Sequence, residues 1–265
     1  MKNPTTSKDR IQFSHTFRHI QNRPWKSFFY LILFVIPVLL VFVLNYRDLS
    51  LWMNQVALFF LKPLIPSAAL QIDAVEFLPI FGSLTSLSLP SPNTSTIFII
   101  VLALVSLIAL LILVTGRRKG HPVSIFLSFA AIILLISSAF GFLFPNNFPY
   151  GADDFAQLYM IQTFATLLFF IVLTGTVTVL LGIGSTIHRM VFVLVVLGFM
   201  MVFSTARYIV YLFIVSKVSL LFMPALIFAF GPFFDFLFLV YFYGIYIHHL
   251  IKRFKREGSE VVWQW

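Results

Sequence analysis

From His188 to Arg256 the chain is almost continuously apolar: HRMVFVLVVLGFMMVFSTARYIVYLFIVSKVSLLFMPALIFAFGPFFDFLFLVYFYGIYIHHLIKRFKR. Two charges, Arg207 and Asp235, stand well inside these apolar runs rather than at their ends. An apolar stretch of this length has no place in one aqueous core, because about 20 consecutive apolar residues already suffice to cross a bilayer. A charge in the hydrocarbon layer is costly, so it faces protein or water and finds a partner. The stretch therefore demands a membrane, more than one crossing, and an interior surface for each charge. Composition extends this to the whole chain, which is 60% hydrophobic and 10% charged, where soluble domains carry roughly 25% charged residues.

Taken in order, residues 1–27 are polar and basic. The first apolar run, about Phe28 to Leu44, is long enough to span and has no small-x-small cleavage site, so it reads as an uncleaved anchor. The segment LWMNQVALFFLKPLIP is amphipathic and is closed by Pro63 and Pro66. It predicts a separate interfacial helix with Trp52 at headgroup depth. QIDAVEFLPIFGSLTSLSLPSP has partial alternation around a Phe-Gly pair, the pattern of a small extracytoplasmic β-hairpin, with an irregular loop as the alternative. Spans are expected at about 97–114, 122–144, 157–183 and 191–215. In the fourth, Thr174, Thr178, Gly182 and Thr186 recur every four residues as a small-residue packing face. The last apolar region is too long for one crossing. Pro224 and Gly231-Pro232 suggest an outer or re-entrant segment near 218–230, followed by a span of about 232–250. The fold class expected is thus an all-α membrane protein of about six transmembrane helices, with the interfacial helix and hairpin added.

Six crossings make a consistent charge map. The tail (Lys2, Lys8, Arg10, Arg18, Arg23, Lys26), the 117–119 basic run, Arg189, and Lys252, Arg253, Lys255 and Arg256 share one side. Arg47, Lys62 and Lys217 lie on the other, among Asp48, Asp73, Glu76, Asp153 and Asp154. The positive-inside rule then puts both termini in the cytoplasm and the loop at about 46–96 outside. The organisation expected is a basic cytoplasmic tail (1–27), a multi-pass domain (28–251) and a short cytoplasmic tail (252–265), in a bacterial inner (plasma) membrane. The net charge of +9 follows this distribution and gives no nucleic-acid signal. With no cysteine, there is no disulfide, thiolate nucleophile or Cys-ligated metal. All six histidines fall on the cytoplasmic side in this map, and His248 and His249 point about 100° apart on a helix, which makes them poor joint ligands. No HExxH, Walker A or GxGxxG motif is present. No cofactor or metal is expected.

The sharper constellation surrounds the intramembrane charges. Arg207 lies about eight residues, or about 12 Å, below the outer end of its span. Asp235 falls in the same half of the bilayer, as does Gln162, while Ser204 and Tyr208 flank Arg207. These five residues form either an ion pair locking two helices or a binding pocket under the outer surface. The alternative is Arg207 snorkelling to the headgroups.

The run from HRM through VFVLVVLGFMMVFSTARYIVYLFIV resembles the arginine helix of the exosortase/archaeosortase family, and the likeness covers about residues 150–250. That family places Asn three residues before its Arg, where Ser204 stands here. About thirty residues later it has His, where GPFFDFLFL offers Asp235. Its cysteine nucleophile would fall in GADDFAQLYMIQTF, which has none. The resemblance implies a small multi-pass protein associated with surface-protein or polysaccharide export, while thiol transpeptidase chemistry needs a thiolate that this chain lacks. The expected function is a non-catalytic exosortase-like protein. It would bind an anionic group or a partner helix, or serve as a subunit of a membrane export or assembly complex, with membrane lipids and other membrane proteins as partners. The alternatives are a membrane transferase acting on a lipid-linked or membrane-anchored substrate through Asp153, Asp154 or Asp235, and a small transporter, for which no convincing internal repeat is found.

Overall fold

The computed structural model describes residues 28–65, 70–78, 82–92, 95–116, 121–144, 150–180 and 186–256. Helix α1 (Ile36–Leu61) is preceded by a π turn (Leu31–Val35). A hairpin of β1 (Gln71–Leu78) and β2 (Gly82–Ser88) follows, then α2 (Thr96–Thr115), α3 (Pro122–Leu143), α4 (Ala152–Leu180) and α5 (Thr186–Phe213). A π turn (Ile214–Val218), a 3-10 turn (Leu220–Phe222) and a further π segment (Ala225–Phe230) lead into α6 (Gly231–Arg256). Among the described residues, six helices are long and apolar enough to cross a membrane. The chain is an all-α membrane protein with one small sheet. The basic tail, the 117–119 run and Gly182 lie outside the described residues.

Two expectations change. The amphipathic segment after Asp48 is helical, but it continues the first span instead of lying apart from it: one helix runs Phe28–Leu61 over 34 residues. Nothing between Leu44 and Trp52 breaks a helix, and Asn45 and Ser50 return side-chain hydrogen bonds to Val41 and Arg47 carbonyls within it. At about 1.5 Å per residue the helix is about 50 Å long, so it overruns the hydrocarbon core. Its amphipathic half covers protein: Tyr46, Ser50, Met53, Asn54, Ala57 and Leu61 are buried on one stripe.

The second change concerns the last apolar region, which has no break at Pro224 or Gly231-Pro232. The chain turns at Ser219, whose backbone is extended, and is helical from Leu220 to His249. Pro224 is accepted because the 3-10 turn before it already gives the Leu220 carbonyl to Met223 N–H, so no N–H is needed at 224. Pro232 is accepted because a π register precedes it, and a side chain serves the carbonyl it leaves unbonded.

Helices α1, α4 and α5 pack against one another, α6 joins through α5, and the α2–α3 pair leans on the 220–230 segment. Gly175 permits a close approach of α4 to the π turn before α1: a Cβ there would lie 2.6 Å from a Val35 methyl. Thr174 and Thr178 on the predicted small-residue face are both buried.

The hairpin is antiparallel, with Ile72 opposite Leu87 and Ala74 opposite Thr85. Strand β1 is largely exposed, whereas Leu84, Thr85, Ser86 and Leu87 of β2 are buried on both faces. The free edge of β2 carries the N–H groups of Thr85, Leu87 and, just beyond it, Leu89. Each meets a side-chain oxygen from a different helix: Ser50 of α1 at 3.0 Å, Tyr208 of α5 at 3.2 Å and Asp153 of α4 at 2.6 Å. Buried N–H groups need acceptors, and here three helices supply what a third strand would. The main core lies beside this edge, joining β2, the hairpin half of α1, the start of α4, the end of α5 and the 220–230 segment.

Candidate functional site

Arg207 immediately precedes Tyr208 on α5 and is 6% exposed. Its Nη1 is 2.9 Å from Oδ1 of Asp235, and its Nη2 donates to Oδ2 at 3.2 Å. Nη1 also donates to the Gly231 carbonyl, and Nε to the Tyr159 hydroxyl, each at 2.9 Å. The Tyr159 hydroxyl in turn donates to the Ser204 carbonyl at 2.9 Å. The rings of Tyr159, Phe203 and Tyr211 stand 5.5–5.9 Å from the guanidinium carbon, close enough for cation–π attraction. An isolated charge at such a depth is prohibitive, but a paired and hydrogen-bonded one is not. The local sequence makes this possible: Ser204 and Arg207 are three residues apart on α5, and Gly231 and Asp235 four apart on α6, so each pair shares a helix face.

Gly231 contributes its carbonyl because of the π segment before it. The Gly231 N–H bonds Leu226 O, five residues back. Continued by one residue, that register would give Ile227 O to the N–H of residue 232, but Pro232 has none. Gln162 Nε2 of α4 takes its place, donating to Ile227 O at 3.3 Å. Gln162 therefore does not touch Arg207; it braces the segment whose next turn does. Its Oε1 is buried with no hydrogen-bond partner among the described residues.

Tyr208 also stands apart from Arg207. It stacks on Tyr159, ring centroids 5.1 Å apart, and its hydroxyl donates to Asn54 Oδ1 at 3.1 Å while accepting from Leu87 N–H. Asn54 Nδ2 continues to Thr85 Oγ1 at 2.9 Å and to Ser50 O at 3.0 Å. One polar chain thus runs from the hairpin edge through α1 to Tyr208, and across a stacked ring pair to Arg207 and Asp235. Of the five residues singled out in the sequence, Arg207 and Asp235 meet directly. Ser204 joins through its backbone carbonyl, Tyr208 through the Tyr159 ring and Gln162 through the 220–230 segment. Tyr159, Asn54, Ser50, Thr85 and Gly231 were not singled out. Ser50 and Asn54 carried a usable signal, since polar residues four apart repeat on what becomes a buried stripe.

Beside this centre, a cleft of about 490 Å³ opens between α4 and the 220–230 segment. It is lined by Leu158, Ile161, Pro224, Ile227 and Phe228, with Gln162 and Tyr150 as its polar residues. Asp153 and Asp154 are engaged at the start of α4: Asp153 accepts from Ser88 Oγ and Leu89 N–H, and Asp154 accepts from Gly151 N–H. Among the described residues no three His, Asp or Glu side chains converge as metal ligands would. Comparison with protein-family models, curated proteins and solved structures finds no match to this chain.

Proposed function

We propose that this is a non-catalytic, exosortase-like integral membrane protein that receives a partner's transmembrane helix in the cleft beside the Arg207 centre. The hairpin end faces outward from a bacterial inner membrane, both termini are cytoplasmic, and the chain acts as a subunit of an export or assembly complex. The observation that carries the reading is the cleft itself, apolar apart from Gln162 and the Tyr150 hydroxyl, with the Gln162 amide oxygen buried and unpartnered among the described residues. Interhelical hydrogen bonds and close packing are what associate helices in lipid. A Ser, Thr or amide donor on an incoming helix satisfies Gln162 Oε1 while its apolar face fills the cleft. Of the two ligands expected, a partner helix and an anion, the helix has the stronger support, because Asp235, Gly231 and Tyr159 already receive the Arg207 donors. The contacts of Asp153, Asp154 and Asp235 likewise favour binding over transferase chemistry, since each carboxylate holds structure in place.

A photo-crosslinking residue at Phe228, on the cleft wall, tests this in native membranes. It should capture one discrete membrane polypeptide, and Gln162→Leu should reduce the yield severalfold. Adducts with lipid alone, or a yield indifferent to Gln162→Leu, would remove the partner-helix reading.

A further inference from the structure

At the end opposite the hairpin, α5 and α6 separate into a groove of about 260 Å³ with an apolar floor of Val191, Val195, Phe242 and Ile245. His188, Tyr246 and His249 are its polar lining residues. From 188 to 195 the groove follows α5 for about 10 Å along the spanning direction. Tyr246 stacks on Phe192, ring centroids 4.4 Å apart. One turn along α5 from Phe192, the Arg189 guanidinium lies 5.8 Å over the Tyr30 ring. Arg189, Tyr30 and Tyr246 are thus within electrostatic reach of one another.

The two tyrosines are 5% and 7% exposed, and both hydroxyls are buried; that of Tyr246 has no hydrogen-bond partner among the described residues, and that of Tyr30 lies near the Thr178 hydroxyl without a well-formed bond to it. Phenylalanine would fill the same space without the penalty of an unpaired buried hydroxyl. Two such donors beside a guanidinium, at the edge of a spanning bundle, match an acceptor carrying negative charge, and a phosphate oxygen takes charge-assisted hydrogen bonds from both. The adjoining groove runs into the hydrocarbon region, where an acyl chain lies. The described charges at this end are basic, Arg189 and the exposed Lys252.

We infer that this end binds an anionic phospholipid, its phosphate held by Arg189, Tyr30 and Tyr246 and one acyl chain seated between α5 and α6. The site is separate from the cleft near Gln162 and does not depend on what that cleft holds. Purified full-length protein in mild detergent is titrated with phosphatidylglycerol, with phosphatidylcholine or with inorganic phosphate. Binding is read by native mass spectrometry and by the shift in Tm. Phosphatidylglycerol should bind and raise Tm. Tyr30→Phe and Tyr246→Phe should each weaken binding about tenfold, the worth of one hydrogen bond to a charged group. Arg189→Gln should remove the preference for phosphatidylglycerol over phosphatidylcholine. Equal binding of the two lipids to the unaltered protein, a full Tm shift from inorganic phosphate alone, or Tyr→Phe variants that bind phosphatidylglycerol normally would each overturn the assignment.

Discussion

The two ends of this bundle share a composition and differ in how they are held. At the hairpin end, one large core joins five elements, and a polar chain links Ser50, Asn54, Thr85, Tyr208, Tyr159, Arg207 and Asp235. At the other end the buried clusters are small, no comparable polar chain links the helices among the described residues, and grooves of about 220 and 260 Å³ separate them. Lipid tails are as apolar as leucine, so burying apolar surface between helices gains little in a membrane. Directional contacts must specify the packing. Where the chain supplies them, α1, α4, α5 and β2 close on one another, and the cleft of about 490 Å³ opens beside that network, between α4 and the 220–230 segment; at the other end, where the lining is mainly Phe, Val and Leu, grooves run between the helices themselves.

The largest test of this contrast is at Asp235. Asp235→Ala leaves Arg207 buried with one partner removed, which should cost about 3–5 kcal/mol of stability. Adding Arg207→Ala should recover part of that loss, so unfolding measured in detergent should show the double variant well short of the sum of the singles. Strict additivity would mean that the pair does not hold the hairpin end. A smaller loss is expected for Tyr208→Phe, which deprives Leu87 N–H of its acceptor and Asn54 of a donor; the cost should be about 1–3 kcal/mol. Amide exchange at Leu87 should accelerate, and unchanged protection there would show that the hairpin is not anchored through α5. The smallest effect belongs to the other end. In lipid-free micelles Tyr246→Phe should change stability by no more than about 0.5 kcal/mol, because its hydroxyl has no described partner to lose. A loss matching that of Tyr208→Phe would erase the distinction between the ends.

Much of this architecture was legible in the sequence. Long apolar runs announce spanning helices because little else can bury them, and the hairpin followed from alternation around a Phe-Gly pair. Arg207 and Asp235 stood out because charge is rare in such runs. The course of α1 past Leu44 was not legible. Asn45, Arg47 and Asp48 look like the end of a span, and only the strand and helices that cover the far half of α1 give its amphipathic stripe a place to pack. Tyr159 and Tyr208 were equally hard to value in advance, since an aromatic residue in a membrane helix is ordinary until its hydroxyl has a partner. Those partners lie 45 to 154 residues away along the chain. Pro224 and Pro232 misled for a local reason: each falls where no intrahelical N–H is required of it, or where a neighbouring side chain replaces one.

The π segment at Ala225–Phe230 has a consequence beyond the carbonyl it frees. A π turn holds one more residue than an α turn, and one residue is about 100° of rotation. It therefore sets the phase of everything downstream on α6. Phe242, Tyr246 and His249 follow Asp235 by 7, 11 and 14 positions, which returns each to within about 40° of the same stripe. The face that meets Arg207 near one membrane surface is the face that lines the groove near the other. Both ends of α6 are indexed by a single irregular turn, like two cams keyed to one shaft, and a rotation of that helix at either end is registered at the other.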